Sequence, residues 1–235
     1  MHPSTVQRKY AGHSSPPKVH PELQEICAHW SRTVGGMDDN EARMAYFAEE
    51  LPGLLLNRRL FIKVLNDIRK GRPYADLRQA TMFPDELLLY LDEARRFSLR
   101  MFIYESGAFT PVHDHNAWGV TGSTLGRLAV IGYRRLDNRE TEGYARLTVD
   151  RETIYEPGQI ELTQPLENGI HKTGNPDSGT TIMISVYGTP VRRLHINRYD
   201  IEHNRVFKWF PPRIRKKMLI TGALKELMLE KRKQP

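Results

Sequence analysis

From Phe97 onward the chain changes character, and the change limits what it can fold into. Short apolar-rich runs follow one another at Phe97–Glu105, Thr110–Thr121, Arg127–Tyr133, Tyr144–Tyr155, Gly158–Leu162, Ile170–Thr173, Thr180–Tyr187 and Val191–Ile196. Turn-forming residues punctuate them at Ser106-Gly107, Gly122-Ser123, Asp137-Asn138, Pro157-Gly158, Asn175-Pro176-Asp177 and Gly188. Runs of this length and spacing predict a mainly β unit that closes as a barrel or sandwich.

The segment before Phe97 has helical periodicity instead. Pro21 leads into Leu23, Ile26, Cys27 and Trp30, and Asp38-Asp39-Asn40-Glu41 supplies capping chemistry ahead of Met44, Phe47, Ala48 and Leu51. Leu60, Phe61, Val64, Leu65 and Ile68 form a third stripe, stopped by Gly71 and Pro73. Pro84-Asp85-Glu86 is read as the start of another short helix through Tyr90. After Pro211-Pro212 a last helix is expected, with Ile214, Met218, Ala223, Leu224, Leu227 and Met228 on a broad apolar face for core packing or a dimer contact. The expected organisation is a disordered segment at 1–20, a helical region at 21–96 packed on the barrel, the barrel itself at 97–200, and a basic helical tail at 201–235.

Composition narrows the function classes. The chain has 235 residues, 39% hydrophobic and 27% charged, which describes a soluble globular protein. No apolar run approaches the roughly 20 residues needed to span a bilayer, and no apolar segment follows the basic residues near the N-terminus, so neither a membrane span nor a secretory signal is expected. Cys27 is the single cysteine, which excludes an intrachain disulfide and fits a reducing cytoplasm; its helical setting marks it as a small buried hydrophobe. The net charge is +7, but ten Lys and Arg against two acids lie between Arg205 and Pro235, leaving the rest near −1. A basic tail on a near-neutral body is a poor match for a nucleic-acid groove.

The chemistry concentrates in Gly107-Ala-Phe-Thr-Pro-Val-His113-Asp114-His115. Side chains alternate along a strand, so His113 and His115 point one way and Asp114 the other, with the imidazoles about 6–7 Å apart along one face. A third donor from a facing strand would complete a metal chelate, and His171 stands in a second glycine-bounded stretch, Asn168-Gly-Ile-His171-Lys-Thr-Gly-Asn175. His195 and His203 fall beyond these strands and are read as surface residues or as support behind the site.

Gly107, His-x-His and Gly126 resemble the first cupin motif, and Pro157-Gly158 with Gly169-x-His171-x-x-x-Asn175 resembles the second. Within cupins the chain is similar to the bacterial thiol dioxygenases, the family of cysteine dioxygenase and 3-mercaptopropionate dioxygenase. The residues that carry this are Thr110-Pro-Val-His113-Asp-His115 with Trp118-Gly119, then His171, and Val186-Tyr187-Gly188 followed by Val191-Arg192-Arg193. The resemblance spans about Phe97–Asp200. It implies a double-stranded β-helix barrel, an Fe(II) cofactor held by His113, His115 and His171, a small thiol and O2 as partners, and a sulfinate product. Tyr187 would be the active-site tyrosine and Arg193 the anchor for a substrate carboxylate.

Departures from the family pattern are as informative. Most metal cupins add a glutamate shortly after His-x-His; here Gly119 stands there, with no carboxylate before Gly126. Three neutral imidazoles leave the full dipositive charge on a metal, which favours an anionic soft ligand such as a thiolate. Mammalian members carry a cysteine at the Gly119 position, cross-linked to tyrosine, and no such cofactor is expected here. The cysteine-specific enzymes take an arginine from well before His-x-His; Glu86–Tyr90 contains none, which favours a mercapto-carboxylate over cysteine. The family's Ser-x-His-x-Tyr relay reads Met183-Ile-Ser185-Val-Tyr187, leaving Ser185 as the possible single hydrogen-bond partner of Tyr187. Two alternatives follow: a metal-dependent cupin dioxygenase acting on a non-thiol compound, and a non-catalytic cupin binding or sensor protein.

Overall fold

The computed structural model describes residues 20–71, 81–191 and 195–231; the expected disordered segment therefore falls almost wholly outside it. Three helices come first: α1 (Pro21–Gly35), α2 (Asn40–Leu55) and α3 (Arg58–Arg69). The capping residues act as their positions predict. Asp39 accepts a hydrogen bond from the Ala42 amide at 2.7 Å, and Asn57 accepts one from Leu60 at 3.1 Å, each satisfying an amide that the first helical turn leaves open.

Eleven strands follow among the described residues: β1 (Glu86–Leu91), β2 (Phe97–Tyr104), β3 (Val112–His115), β4 (Gly119–Leu125), β5 (Leu128–Arg135), β6 (Leu147–Tyr155), β7 (Ile160–Thr163), β8 (Leu166–Gly174), β9 (Thr181–Gly188), β10 (Ile196–Asp200) and β11 (Arg205–Trp209). A final helix, α4, runs Pro212–Lys231. All pairings are antiparallel, in two sheets ordered β1-β2-β9-β4-β7 and β11-β10-β3-β8-β5-β6. Within them β2 pairs β9, β3 pairs β8, β4 pairs β7 and β5 pairs β6. The chain from Phe97 to Gly188 is thus one long two-stranded ribbon, folded back at β5–β6 and wound so that its successive segments fall alternately in the two sheets. That winding is the double-stranded β-helix of the cupin barrel.

The helices cover the outer face of the first sheet. Leu23, Cys27 and Trp30 of α1, Phe47, Leu51 and Leu55 of α2, and Leu60 and Val64 of α3 share one core with Leu99, Val120, Ile184 and Val186 of the sheet. Phe47 is its centre, with ring centroids 5.4 Å from Trp30, 5.0 Å from Phe97 and 6.0 Å from Trp118. Cys27 is fully buried, and desolvation pushes its thiol pKa up, as befits a packing residue. Asp92, after β1, accepts hydrogen bonds from Ser31 of α1 at 2.6 Å and from the Arg96 guanidinium at 2.8 Å, tying the β1–β2 hairpin to the first helix.

Several expectations need correction. The segment from Pro84 is strand β1, not a helix: Leu88, Leu89 and Tyr90 are buried in succession because the helices cover one face and the barrel interior the other. Thr110–Thr121 is not one strand. It breaks at Asn116–Trp118, where the chain passes from one sheet to the other. The barrel's last pair, β10 and β11, reaches Trp209, into the stretch expected to be tail. α4 forms where Pro211-Pro212 predicts it but does not enter the core: Met218, Leu219, Ile220, Leu224 and Met228 are all at least half exposed. No helix among the described residues is long and apolar enough to cross a membrane.

Candidate metal centre

β3 and β8 lie side by side, with His113 directly opposite His171 in register. His115, two residues on, faces the same side, and the three rings converge. Centroids are 4.8 Å apart for His113 and His115, 5.1 Å for His113 and His171, and 4.6 Å for His115 and His171. One ring nitrogen from each lies within 4.8 Å of the others, and all three residues are buried. His115 and His171 bring their Nε2 atoms to 2.8 Å.

The set fits a metal ion on its own chemistry. His113 Nδ1 lies 2.8 Å from the Pro111 carbonyl, which fixes the proton there and leaves Nε2 as the lone-pair donor. Burial lowers the His113 pKa to about 4, against the weaker upward pull of that carbonyl. His171 is held well below the usual histidine range, first by desolvation, then by His113 and Arg151. Both net shifts keep His113 and His171 neutral and available at pH 7. No carboxylate joins the group among the described residues. Glu161 of β7, opposite Thr121 in register, is buried, but its oxygens are taken by Arg151 and the Tyr155 hydroxyl.

Asp114 points away from the cluster, as strand alternation requires. It is fully buried and accepts from the Asn197 amide at 2.7 Å, the Asn197 side chain at 2.8 Å and the Tyr199 hydroxyl at 3.4 Å. The residue between two of the candidate ligands therefore fastens β3 to β10. The other motif positions are structural. Gly126 has a φ of 68°, and a Cβ there would lie 2.7 Å from the Thr180 carbonyl oxygen. Asn175 is buried and donates to the carbonyls of Glu105 at 3.0 Å and Gly179 at 2.6 Å, closing the β8–β9 turn.

Tyr187 stacks on His115, with centroids 5.7 Å apart and planes at 26°. Gly119 makes room for it: a Cβ there would sit 2.9 Å from Tyr187 Cε1. Behind the phenol, Thr121 donates to Ser185 at 2.9 Å. Desolvation pushes the Tyr187 pKa up to about 12, with hydrogen bonds to Ser185 and then Thr121 pulling the other way, so the ring stays protonated at pH 7. The support behind the phenol is thus a hydroxyl pair drawn from two neighbouring strands.

A cavity of about 450 Å³ opens onto His113, His115 and Tyr187. Its polar wall holds a residue that sequence reading missed, Arg100 of β2, whose guanidinium carbon lies 5.9 Å from the Tyr187 centroid. Arg100 is ion-paired with the buried Glu86 and donates from Nε to Ser98 at 3.1 Å. Register could have exposed it, because Arg100 lies opposite Ser185, two residues along from the pairing of Ser98 with Tyr187. The resemblance gives the anchoring role to Arg193, which with Arg192 lies outside the described residues. His195 packs on Phe210 at 5.3 Å and His203 pairs with Asp200 at 2.9 Å; neither belongs to the cluster.

No protein-family profile matches the chain. Among solved structures it is similar to a cupin 2 conserved barrel domain protein from Salinispora arenicola, with 13% identity over 48% of this chain and 83% of that one and a TM-score of 0.34. It is also similar to a cupin-2 domain from Rhodospirillum rubrum, with 11% identity, 48% and 66% coverage and a TM-score of 0.36. The DMSP lyase DddQ from Ruegeria pomeroyi gives 10% identity, 42% and 41% coverage and a TM-score of 0.30. At these values the fold assignment rests on strand pairing, not on likeness.

Proposed function

We propose that this protein is an Fe(II)-dependent thiol dioxygenase, in which His113, His115 and His171 hold the iron and O2 is added to the sulfur of a small thiol to give a sulfinate. The observation that carries this reading is the set of three buried imidazoles, with no carboxylate joining them among the described residues, opening onto a cavity that holds Arg100 and Tyr187. Bound there, iron would supply the coordination of thiolate and O2 that the side chains cannot.

The chain's own residues bind and orient. Arg100, held by Glu86 and Ser98, offers a fixed guanidinium to an acid group of the substrate. In this reading Arg100 takes the role that the resemblance gives to Arg193. Tyr187, protonated and fixed between His115 and the Ser185–Thr121 pair, donates a hydrogen bond into the cavity. Sulfur supplies all the electrons that O2 takes up, both oxygen atoms end on it, and the thiol proton leaves to solvent, so no external reductant is needed.

The test is O2 uptake by the iron-loaded protein across a thiol panel, with sulfinate measured alongside. Stoichiometric consumption and sulfinate formation are expected with at least one mercapto-carboxylate. The replacement of the family relay by Met183 and Ser185 favours a second reading, a metal-dependent dioxygenase for a non-thiol substrate. Turnover of non-thiol compounds, with thiols acting only as inhibitors, would select it. Full metal occupancy with no O2 consumption for any compound would point to a binding or sensor protein instead.

A further inference from the structure

The cavity's size and lining say more about the substrate than its iron chemistry does. A molecule the size of 3-mercaptopropionate fills roughly 120 Å³, about four waters at about 30 Å³ each. The cavity holds about 450 Å³, within the roughly 300–1,000 Å³ of sites that enclose drug-sized ligands.

Several of its polar groups form one row. The Arg100 guanidinium lies over Tyr187, and Tyr187 lies over His115. A thiol at the cluster and an acid at Arg100 therefore lie along this short row of side chains. Beyond it the described lining is mostly apolar, with Leu88, Leu91, Ala117, Pro190, Ile196 and Pro211, and Arg95 and Asn116 are its polar members there. Leu91, Pro190, Ile196 and Pro211 stand where β1 ends, β9 has ended, β10 begins and β11 has ended, so they crowd one end of the barrel.

Charge limits the ligand further. Glu86 is the acid in the described lining, and both of its oxygens are engaged: one by Arg100, the other by the amides of Met82 at 2.7 Å and Phe83 at 3.1 Å. It has no oxygen left over for a substrate ammonium group. A ligand with an amine would enter this apolar space without a counter-ion, at a desolvation cost that an uncharged substituent avoids.

Resting on the thiol dioxygenase reading, we infer that the preferred substrate is a mercapto acid without an amine that carries a bulky apolar substituent, aryl or branched alkyl, on its acid-bearing carbon. The acid would take Arg100 and the substituent would fill the space between Leu88, Leu91 and Ile196.

Two measurements on the full-length protein separate this inference from the reading beneath it. The first is O2 uptake by the iron-loaded protein with 3-mercaptopropionate, cysteine and 2-benzyl-3-mercaptopropionate. The benzyl compound is expected to have a kcat/KM at least about tenfold above 3-mercaptopropionate, chiefly through KM, with cysteine the poorest. The second is calorimetric binding of the sulfur-free acids to metal-free protein. 2-Methyl-3-phenylpropanoate is expected to bind at least about tenfold more tightly than propanoate.

Equal or weaker binding of the aryl acid overturns the inference whatever the turnover shows. A kcat/KM highest for 3-mercaptopropionate or cysteine also overturns it, and leaves the dioxygenase reading standing. Tight aryl-acid binding with no thiol turnover supports the cavity's preference for an apolar acid and defeats the dioxygenase reading.

Discussion

The Tyr187 ring lies beside Gly119 while its hydroxyl reaches the Thr121–Ser185 pair, so two positions on β4 control it in different ways. Thr121→Val keeps the side-chain shape but removes the donor, leaving the buried Ser185 hydroxyl short of a partner. The loss of one such bond is worth about 1–1.4 kcal/mol, so kcat should fall roughly five- to tenfold with KM little changed, and Thr121→Ser should restore it. Steady-state O2 uptake for the three proteins checks this; equal rates for Val and Thr would remove the pair from the account. The histidines give a pH signature. An unfolded histidine titrates near about 6.5, while buried His113 titrates at about 4. Between those values the unfolded chain binds protons that the folded chain refuses, so the metal-free protein should be fully stable above about pH 6.5 and lose stability as pH falls toward 4. Urea midpoints across that range should show the slope, and His113→Gln should make it shallower, with buried His171 keeping the remainder. His-x-His alternation was readable from sequence, because one strand sets it. Arg100 was not, because its relevance comes from lying opposite Ser185 on a strand more than 80 residues away.

Asp114 shows how one element fixes another. The β10 amide and side chain of Asn197 and the hydroxyl of Tyr199 all turn to its carboxylate. Asp114→Ala leaves three buried or half-buried donors short of an acceptor, at a cost of about 1–3 kcal/mol for each one left unpaired. Hydrogen exchange should then rise at the β10 amides before it rises in β9, and unchanged β10 protection would contradict the role. β1 shows where sequence patterns fail. Pro84-Asp85-Glu86 has the composition of a helix start, yet the Glu86 carboxylate accepts the amides of Met82 and Phe83 in a turn that leads into a strand. Leu87–Leu91 is a continuous apolar run, and such a run does not distinguish a helix from a strand buried on both faces. The break at Asn116–Trp118 escaped for a related reason: a chain that changes sheets keeps its apolar content on both sides of the crossing.

The whole molecule is a barrel backed by helices, and both halves meet at Phe47. Its ring touches Trp30 of α1, Phe97 at the start of β2, and Trp118, the neighbour of Gly119. Phe47→Ala should cost about 3–5 kcal/mol and lower Tm by roughly 6–20 °C. Far-UV dichroism and tryptophan fluorescence should still report one transition, because helices and barrel share a core. Separate transitions would mean that they unfold independently. The barrel was legible from turn spacing, since glycine and proline punctuation survives whichever sheet a strand joins. Placement of α4 outside the core was not, because its apolar residues have the composition of a packed helix and only their exposure reveals the difference. Everything proposed about chemistry depends on His113, His115 and His171 holding one ion together. Metal analysis of protein purified without chelator or affinity nickel tests this directly. About one iron per chain is expected, with loss of at least about 10-fold in occupancy for His171→Ala while the variant stays folded; no bound metal, or the same occupancy in the variant, would contradict it.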